Sequence, residues 1–176
     1  VVSRTTANDL EERYGVDPER MTIVANGVDE RFFRAEPLSA EQRRQLGIPA
    51  DYLLMVGTLE PRKNHLNAFA AVLESTAGRD APLVVAGRRG WNDAEIVRRI
   101  SELDAERRVV WLQYAPEALL PGLYAGALAT LYPSWYEGFG LPALEALAAG
   151  SPLVTSLAPS LVEVAGGVAR QVDAGN

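Results

Sequence analysis

Tyr132-Pro133-Ser134-Trp135-Tyr136-Glu137-Gly138-Phe139-Gly140-Leu141-Pro142, continued by Ala143-Leu144-Glu145-Ala146-Leu147-Ala148-Ala149-Gly150, is the stretch whose reading decides the fold. An apolar run over residues 128–132 reads as a strand, and a glycine-bearing loop carries it into a helix. Proline at the first helical position has its φ already set and lacks only an N–H that would have no partner there, so Pro142 marks the helix start. Gly150 marks its end. Gly138 and Gly140 free the backbone to turn amides outward just ahead of the positive end of the helix, the geometry of an anion cradle. Two acids flank that cradle, Glu137 immediately before it and Glu145 on the first turns of the helix. A carboxylate is repelled by phosphate, so both acids are expected to meet ribose or sugar hydroxyls instead.

The same strand-then-helix unit repeats on either side. Short apolar runs stand at 22–25, 52–56, Leu83–Ala86, Val109–Leu112 and Leu153–Ser156, without clean alternation, as expected of strands covered on both faces. Helical patterns fall between them. Ser39 and Gln42 make a capping box and Gly47 a stop. Leu66, Phe69, Ala70 and Leu73 form one stripe, with Gly78 as its stop. Asn92 is the expected cap of the next helix, with Glu95 behind it and Ile96, Ile100 and Leu103 as its buried face. Pro121 starts a helix bearing Leu123, Tyr124 and Ala127. Alternating strands and helices predict an α/β domain with a doubly wound, parallel, Rossmann-like sheet. Ligands of such sheets bind beyond the C-terminal strand ends, which here are the loops 57–64, 87–92, 113–117, 133–141 and 157–159.

Composition narrows the chemistry. Hydrophobic residues make up 48% of the 176, enough for a real core. Cysteine is absent, which removes disulfides and thiolate metal sites. Seventeen basic and 23 acidic residues give a net charge of -6, which argues against nucleic acid as a partner. No run of about 18 apolar residues suggests a membrane span. One loop is locally basic: in Gly57-Thr58-Leu59-Glu60-Pro61-Arg62-Lys63-Asn64, Arg62 and Lys63 stand at a helix start, where cations oppose the helix dipole. A bound anion reconciles that conflict; two solvated charges are the plain alternative. Gly57 lets a ligand approach the backbone. His65 reads as solvated or capping, Trp91 as a packing lid at the sheet edge, and Arg88 and Arg89 as a solvated turn; Trp135 and Tyr136 fit either the core or a sugar pocket.

Glu137 and Glu145 match the E-x7-E pattern of retaining glycosyltransferases with the two-domain GT-B fold, family 4 type, and the residues around them resemble the full motif of that family. Asn26-Gly27-Val28-Asp29 resembles the start of the family's donor domain, 57–64 a mannosyltransferase-like subgroup, and 119–127 with Tyr124 the helix ahead of the motif. The resemblance implies that this is the C-terminal, nucleotide-sugar-binding half. It implies that Arg62 and Lys63 hold the donor diphosphate, and that Gly57, Thr58 and the backbone at Gly138, Phe139, Gly140 and Leu141 lie along it. Glu145 would bind ribose, Tyr114 and Ala115 would meet the base, and Glu137 would act catalytically, contacting the sugar and stabilising charge near its anomeric carbon. Thr58 stands where many members carry Arg, Gln113 where Gly is common and Val162 where Pro is usual.

By the same resemblance, residues 1–14 are the junction from a preceding acceptor domain and 15–176 the donor domain, short of its closing helices. The enzyme would move a hexose, mannose from GDP-mannose being favoured, to a glycan or lipid-linked acceptor. It would need no cofactor or metal, since no Asp-x-Asp stands in a loop. Its partners would be the nucleotide sugar, the acceptor and the acceptor domain of the same enzyme. Its place would be the cytoplasm, with contact at the inner membrane face made through the preceding domain. The isolated piece would transfer no sugar. The competing readings are a non-catalytic nucleotide- or nucleotide-sugar-binding module and an epimerase of the same architecture. A nicotinamide dehydrogenase fails for want of G-x-G-x-x-G after the first strand.

Overall fold

A computed structural model describes residues 1–75 and 80–175; the expected stop at Gly78 and the final Asn176 lie outside them. Six parallel strands form one sheet: β1 (Leu53–Val56), β2 (Leu83–Ala86), β3 (Val109–Leu112), β4 (Ala129–Tyr132), β5 (Leu153–Ser156) and β6 (Arg170–Val172). Their spatial order is β3-β2-β1-β4-β5-β6. The chain therefore winds outward from β1 in one direction, returns, and winds outward from β4 in the other. Register is even, with Leu53 opposite both Leu83 and Ala129.

Helices lie over both faces of the sheet: α2 (Glu30–Phe33), α3 (Ala40–Leu46), α4 (His65–Glu74), α5 (Ala94–Ala105), α6 (Leu120–Ala125), α7 (Leu141–Ala148) and α8 (Pro159–Ala165), with α1 (Arg4–Tyr14) packed on α8. Side chains of a strand alternate between faces. Leu53, Met55, Leu83 and Val85 thus join Phe69, Val72, Ile96, Ile100 and Leu103 in one core. Leu54, Val84, Ala86 and Tyr132 join Leu123, Tyr124, Ala143, Ala146 and Leu161 in the other. A fully buried leucine or valine contributes about 1.5–3 kcal/mol, so these two layers carry the fold.

Several expected local signals are present. Ser39 Oγ accepts from the Gln42 N–H at 3.2 Å, and Gln42 Oε1 accepts from the Ser39 N–H at 2.9 Å. Gly47 ends α3 in the left-handed region, and Pro121 and Pro142 sit in the first turns of α6 and α7.

Other expectations are corrected. Residues 22–25 are not a strand of the sheet: they lie at the surface, Val24 being 67% exposed, and pair only with the chain start, where the Val24 N–H donates to Val1 O at 2.8 Å. The sixth strand is instead β6, hidden from a hydropathy reading by its length and by the exposed Arg170. On α4 the buried face is His65, Ala68, Phe69 and Val72. The expected stripe is thus rotated by about one residue, because the imidazole takes a core position and leaves Leu66 and Leu73 half-buried on the flank. Asn92 does not cap α5. It turns the chain at φ 50°, and Asp93 occupies the cap position, where Arg89 grips its carboxylate with two hydrogen bonds of 2.8 Å. Trp91 is 56% exposed and lids nothing.

His65 is neither solvated nor a cap: it is 2% exposed, its ring centroid 6.2 Å from that of Phe69. Burial, aided by the nearby Lys63 charge and opposed by Glu60, pushes its pKa down to about 4. Unfolded, the imidazole titrates near 6.5. Between those values the unfolded chain holds a proton that the folded chain does not, so stability is lost as pH falls from about 6.5 toward about 4, by up to roughly 3 kcal/mol. Urea melts of the wild type and His65→Leu across that range are expected to show a slope in the former that is flattened in the latter. Equal slopes would contradict this placement of the imidazole.

Candidate functional site

Strands β1 and β4 are neighbours whose following connections depart in opposite directions, so a crevice opens outside their C-terminal ends. The loop after β1 (57–64) and the loop after β4 (133–140) face each other across it. They are tied by the Trp135 N–H to Arg62 O at 2.9 Å, by Asn64 Nδ2 to Pro133 O at 3.1 Å and by Arg62 Nη1 to Tyr136 O at 2.9 Å.

Lys63 is the last residue of a 3-10 turn, Pro61–Lys63, that Asn64 ends at φ 61°. The turn sends its side chain inward, and the residue is only 8% exposed. Gly57 lies alongside: its φ of 144° is a glycine conformation, and a Cβ there would stand 3.4 Å from Lys63 Cε, in ordinary contact. The ammonium donates to the Tyr132 hydroxyl at 2.6 Å and to Glu137 Oε1 at 2.7 Å, and lies 4.7 Å from the centroid of the Tyr132 ring. The Tyr132 hydroxyl donates to the same Oε1 at 2.9 Å. Arg62 Nη1 reaches Glu137 Oε2 at 2.6 Å, and its Nη2 reaches Glu60 Oε2 at 3.1 Å. The two cations and the first acid, separate features in the sequence, are therefore one cluster, in which the acid meets both cations directly.

Burial drives the Glu137 pKa up, but the Lys63 charge and the hydrogen bonds it receives outweigh this and hold it below the usual carboxylate range, ionised. Burial likewise lowers the Lys63 pKa, against the pull of Glu137. The backbone beneath is pinned. Ser160 Oγ donates to Glu137 O at 2.7 Å, and Gly138 O accepts from Ser3 Oγ at 2.5 Å and Thr6 Oγ1 at 3.1 Å. Gly140 leads into α7 at φ 106°, with Phe139 and Gly140 buried and Leu141 43% exposed. In this first turn Pro142 has no N–H and the Ala143 N–H donates to Gly140 O at 3.0 Å, which leaves the Leu141 N–H without an intrahelical acceptor and suited to an anion.

The second acid stands apart from this cluster. Glu145 is half-buried on α7 and accepts from the Tyr124 hydroxyl at 2.8 Å. Burial raises its pKa, opposed by Tyr124 and Arg31. Arg31 in turn pairs with Glu117 at 2.5 Å. Thr58 is half-buried and supplies no charge. Tyr114 is 61% exposed, and the exposed Arg88 places its guanidinium 5.3 Å from the ring centroid. Ala115 packs against the core. Trp135 and Tyr136 are exposed and belong to the rim rather than the core. The tethering hydroxyls of Ser3, Thr6 and Ser160 were not anticipated. Ser3 and Gly138 are separated by 135 positions, a distance no local pattern spans.

Residues 39–167 match the family described as glycosyl transferases group 1. The chain is 43% identical over 135 residues to the O-antigen chain mannosyltransferase B of Escherichia coli, covering 75% of this chain and 35% of that protein. Among solved structures, it superposes with a TM-score of 0.78 at 23% identity on WaaG, a glycosyltransferase involved in lipopolysaccharide biosynthesis, covering 98% of this chain and 48% of that one. With Anabaena HepE in complex with UDP-glucose the TM-score is 0.77 at 22% identity, covering 97% and 48%. These likenesses show a GT-B type fold. The chain spans less than half the length of the curated relatives it matches. Among the described residues, no helix is long and apolar enough to cross a membrane.

Proposed function

The chain belongs to the group 1 glycosyl transferases, and from that premise we propose that it binds the nucleoside-diphosphate sugar of a retaining enzyme that passes a hexose, mannose above others, to a glycan or lipid-linked acceptor. One observation carries the reading: the buried Lys63 and Glu137 and the partly exposed Arg62 converge ahead of the α7 N-terminus at the switch point of the sheet.

A departing diphosphate develops negative charge. Preorganised donors in a site shielded from water stabilise it more than the same groups could in bulk. In this reading Lys63 and Arg62 supply the fixed positive charge, and the amides of Gly138, Phe139, Gly140 and Leu141 add dipoles aimed the same way. No metal is assigned a part. The cations Lys63 and Arg62 already stand at the crevice as the positive charge of the site. Glu145, with its hydroxyl partner Tyr124 and its distance in chain from the cationic cluster, suits a ribose hydroxyl. Tyr114 and Ala115, on the loop after β3, suit the base. Glu137 is the residue for the transferred sugar, its charge placed to stabilise an oxocarbenium-like carbon. The acceptor, and any groups that orient it, belong to the domain that precedes this one in the proposed enzyme. The UDP-glucose-bound neighbour supports a nucleotide sugar as donor, and the mannosyltransferase relative supports mannose as the sugar.

Calorimetry of the chain with GDP, UDP, dTDP and ADP, in the presence of EDTA, is expected to detect binding of at least one, GDP foremost. Glu145→Gln is expected to weaken it about ten- to a hundred-fold, the loss of a charged hydrogen bond. Failure of all four to bind at millimolar concentration would count decisively against the reading.

A further inference from the structure

We propose that Glu137 is also the resident counter-ion of the diphosphate clamp, and that its exchange between the two cations and the transferred sugar makes the site favour a sugar-bearing nucleotide over the bare nucleoside diphosphate. The inference rests on the functional reading above and extends it.

The carboxylate spans both cations, with Oε1 at 2.7 Å from Lys63 Nζ and Oε2 at 2.6 Å from Arg62 Nη1. With Glu60 on the other arm of Arg62, two positive charges face two negative ones. The unliganded cluster is thus electrically balanced. A diphosphate arriving there meets an ionised carboxylate on the same ammonium it needs. Of the three N–H donors of Lys63, two are already given to Tyr132 and Glu137. At 6% exposure the carboxylate has little water to turn to when it leaves, and an unpaired buried charge is costly. It can release the cations only toward other donors.

A sugar attached to the diphosphate brings such donors as hydroxyls. A bare nucleoside diphosphate brings none beyond its terminal phosphate, its ribose hydroxyls being the ones assigned to Glu145, and that phosphate carries more charge. The carbonyls of Glu137 and Gly138 are tethered by Ser160, Ser3 and Thr6, so the exchange is a rotation of one side chain over a fixed backbone. After transfer the sugar is gone, the carboxylate returns to Lys63 and Arg62, and the product diphosphate loses its hold.

The test is calorimetry of this chain with GDP, UDP, GDP-mannose and UDP-glucose, for the wild type, Glu137→Gln and Glu137→Asp. Thermal melts check that each variant is folded. In the wild type, the nucleotide sugar is expected to bind at least as tightly as its bare nucleotide. Glu137→Gln removes the charge and is expected to tighten the bare nucleotide about ten-fold, equivalent to 1.4 kcal/mol, while the sugar form gains less, so that the preference shrinks or inverts. If Glu137→Gln does not fold, Glu137→Asp decides: it keeps a charge but is too short to span both cations, and a smaller tightening in the same direction is expected. Binding of the bare nucleotide that the folded variant weakens or leaves unchanged overturns this inference alone. No binding of any nucleotide by wild type and variants overturns the functional reading with it.

Discussion

The 2.7 Å contact between Lys63 and Glu137, buried at the C-terminal ends of β1 and β4, is the constraint around which the rest of the site is arranged. Taking two such charges out of water costs several kcal/mol each before they attract one another, and apolar residues of similar size often serve stability as well or better. A fold under pressure for stability alone has little reason to keep this pair. The surroundings accommodate it: Tyr132 fills out the hydrogen bonding of both partners, and Arg62 is drawn in from the loop to complete the carboxylate.

The topology explains why the pair stands where it does. In a sheet ordered β3-β2-β1-β4-β5-β6, β1 and β4 are, among the described residues, the adjacent strands whose connections diverge. The residues that follow them are the ones that can meet across an open crevice without an intervening crossover. Lys63 comes from the first of these loops and Glu137 from the second, and α7 begins a few residues after Glu137. Charge, amide donors and helix dipole are thereby gathered by chain path, with α1 and α8 supplying the hydroxyls that hold the loop backbone still.

Much of this was legible in the chain. The core strands fall within a residue of the apolar runs, because strands covered on both faces have little choice but to be apolar. The Ser39–Gln42 box and Pro142 mark helix starts by mechanisms that act within a few residues, and they appear as expected. The E-x7-E stretch and the loop 57–64 were legible as the segments that meet across the crevice. What escaped was every relation set by distant parts of the chain. Residues 22–25 look like a strand but have no place in the sheet. The face of α4 is decided by a buried histidine that hydropathy counts as polar. The direct pairing of Glu137 with both cations runs against the simple expectation that an acid beside a phosphate site turns to hydroxyls, because burial makes an unpartnered cation more costly than a shared one.

The most direct measurement of the central claim is a crystal structure of this chain with a nucleoside-diphosphate hexose bound. The account expects diphosphate oxygens within hydrogen-bond reach of Lys63 Nζ and the Arg62 guanidinium, and the Glu137 carboxylate turned from both toward a hydroxyl of the sugar. A nucleotide seated elsewhere on the sheet edge, with the Lys63–Glu137 contact intact at 2.7 Å, would contradict it.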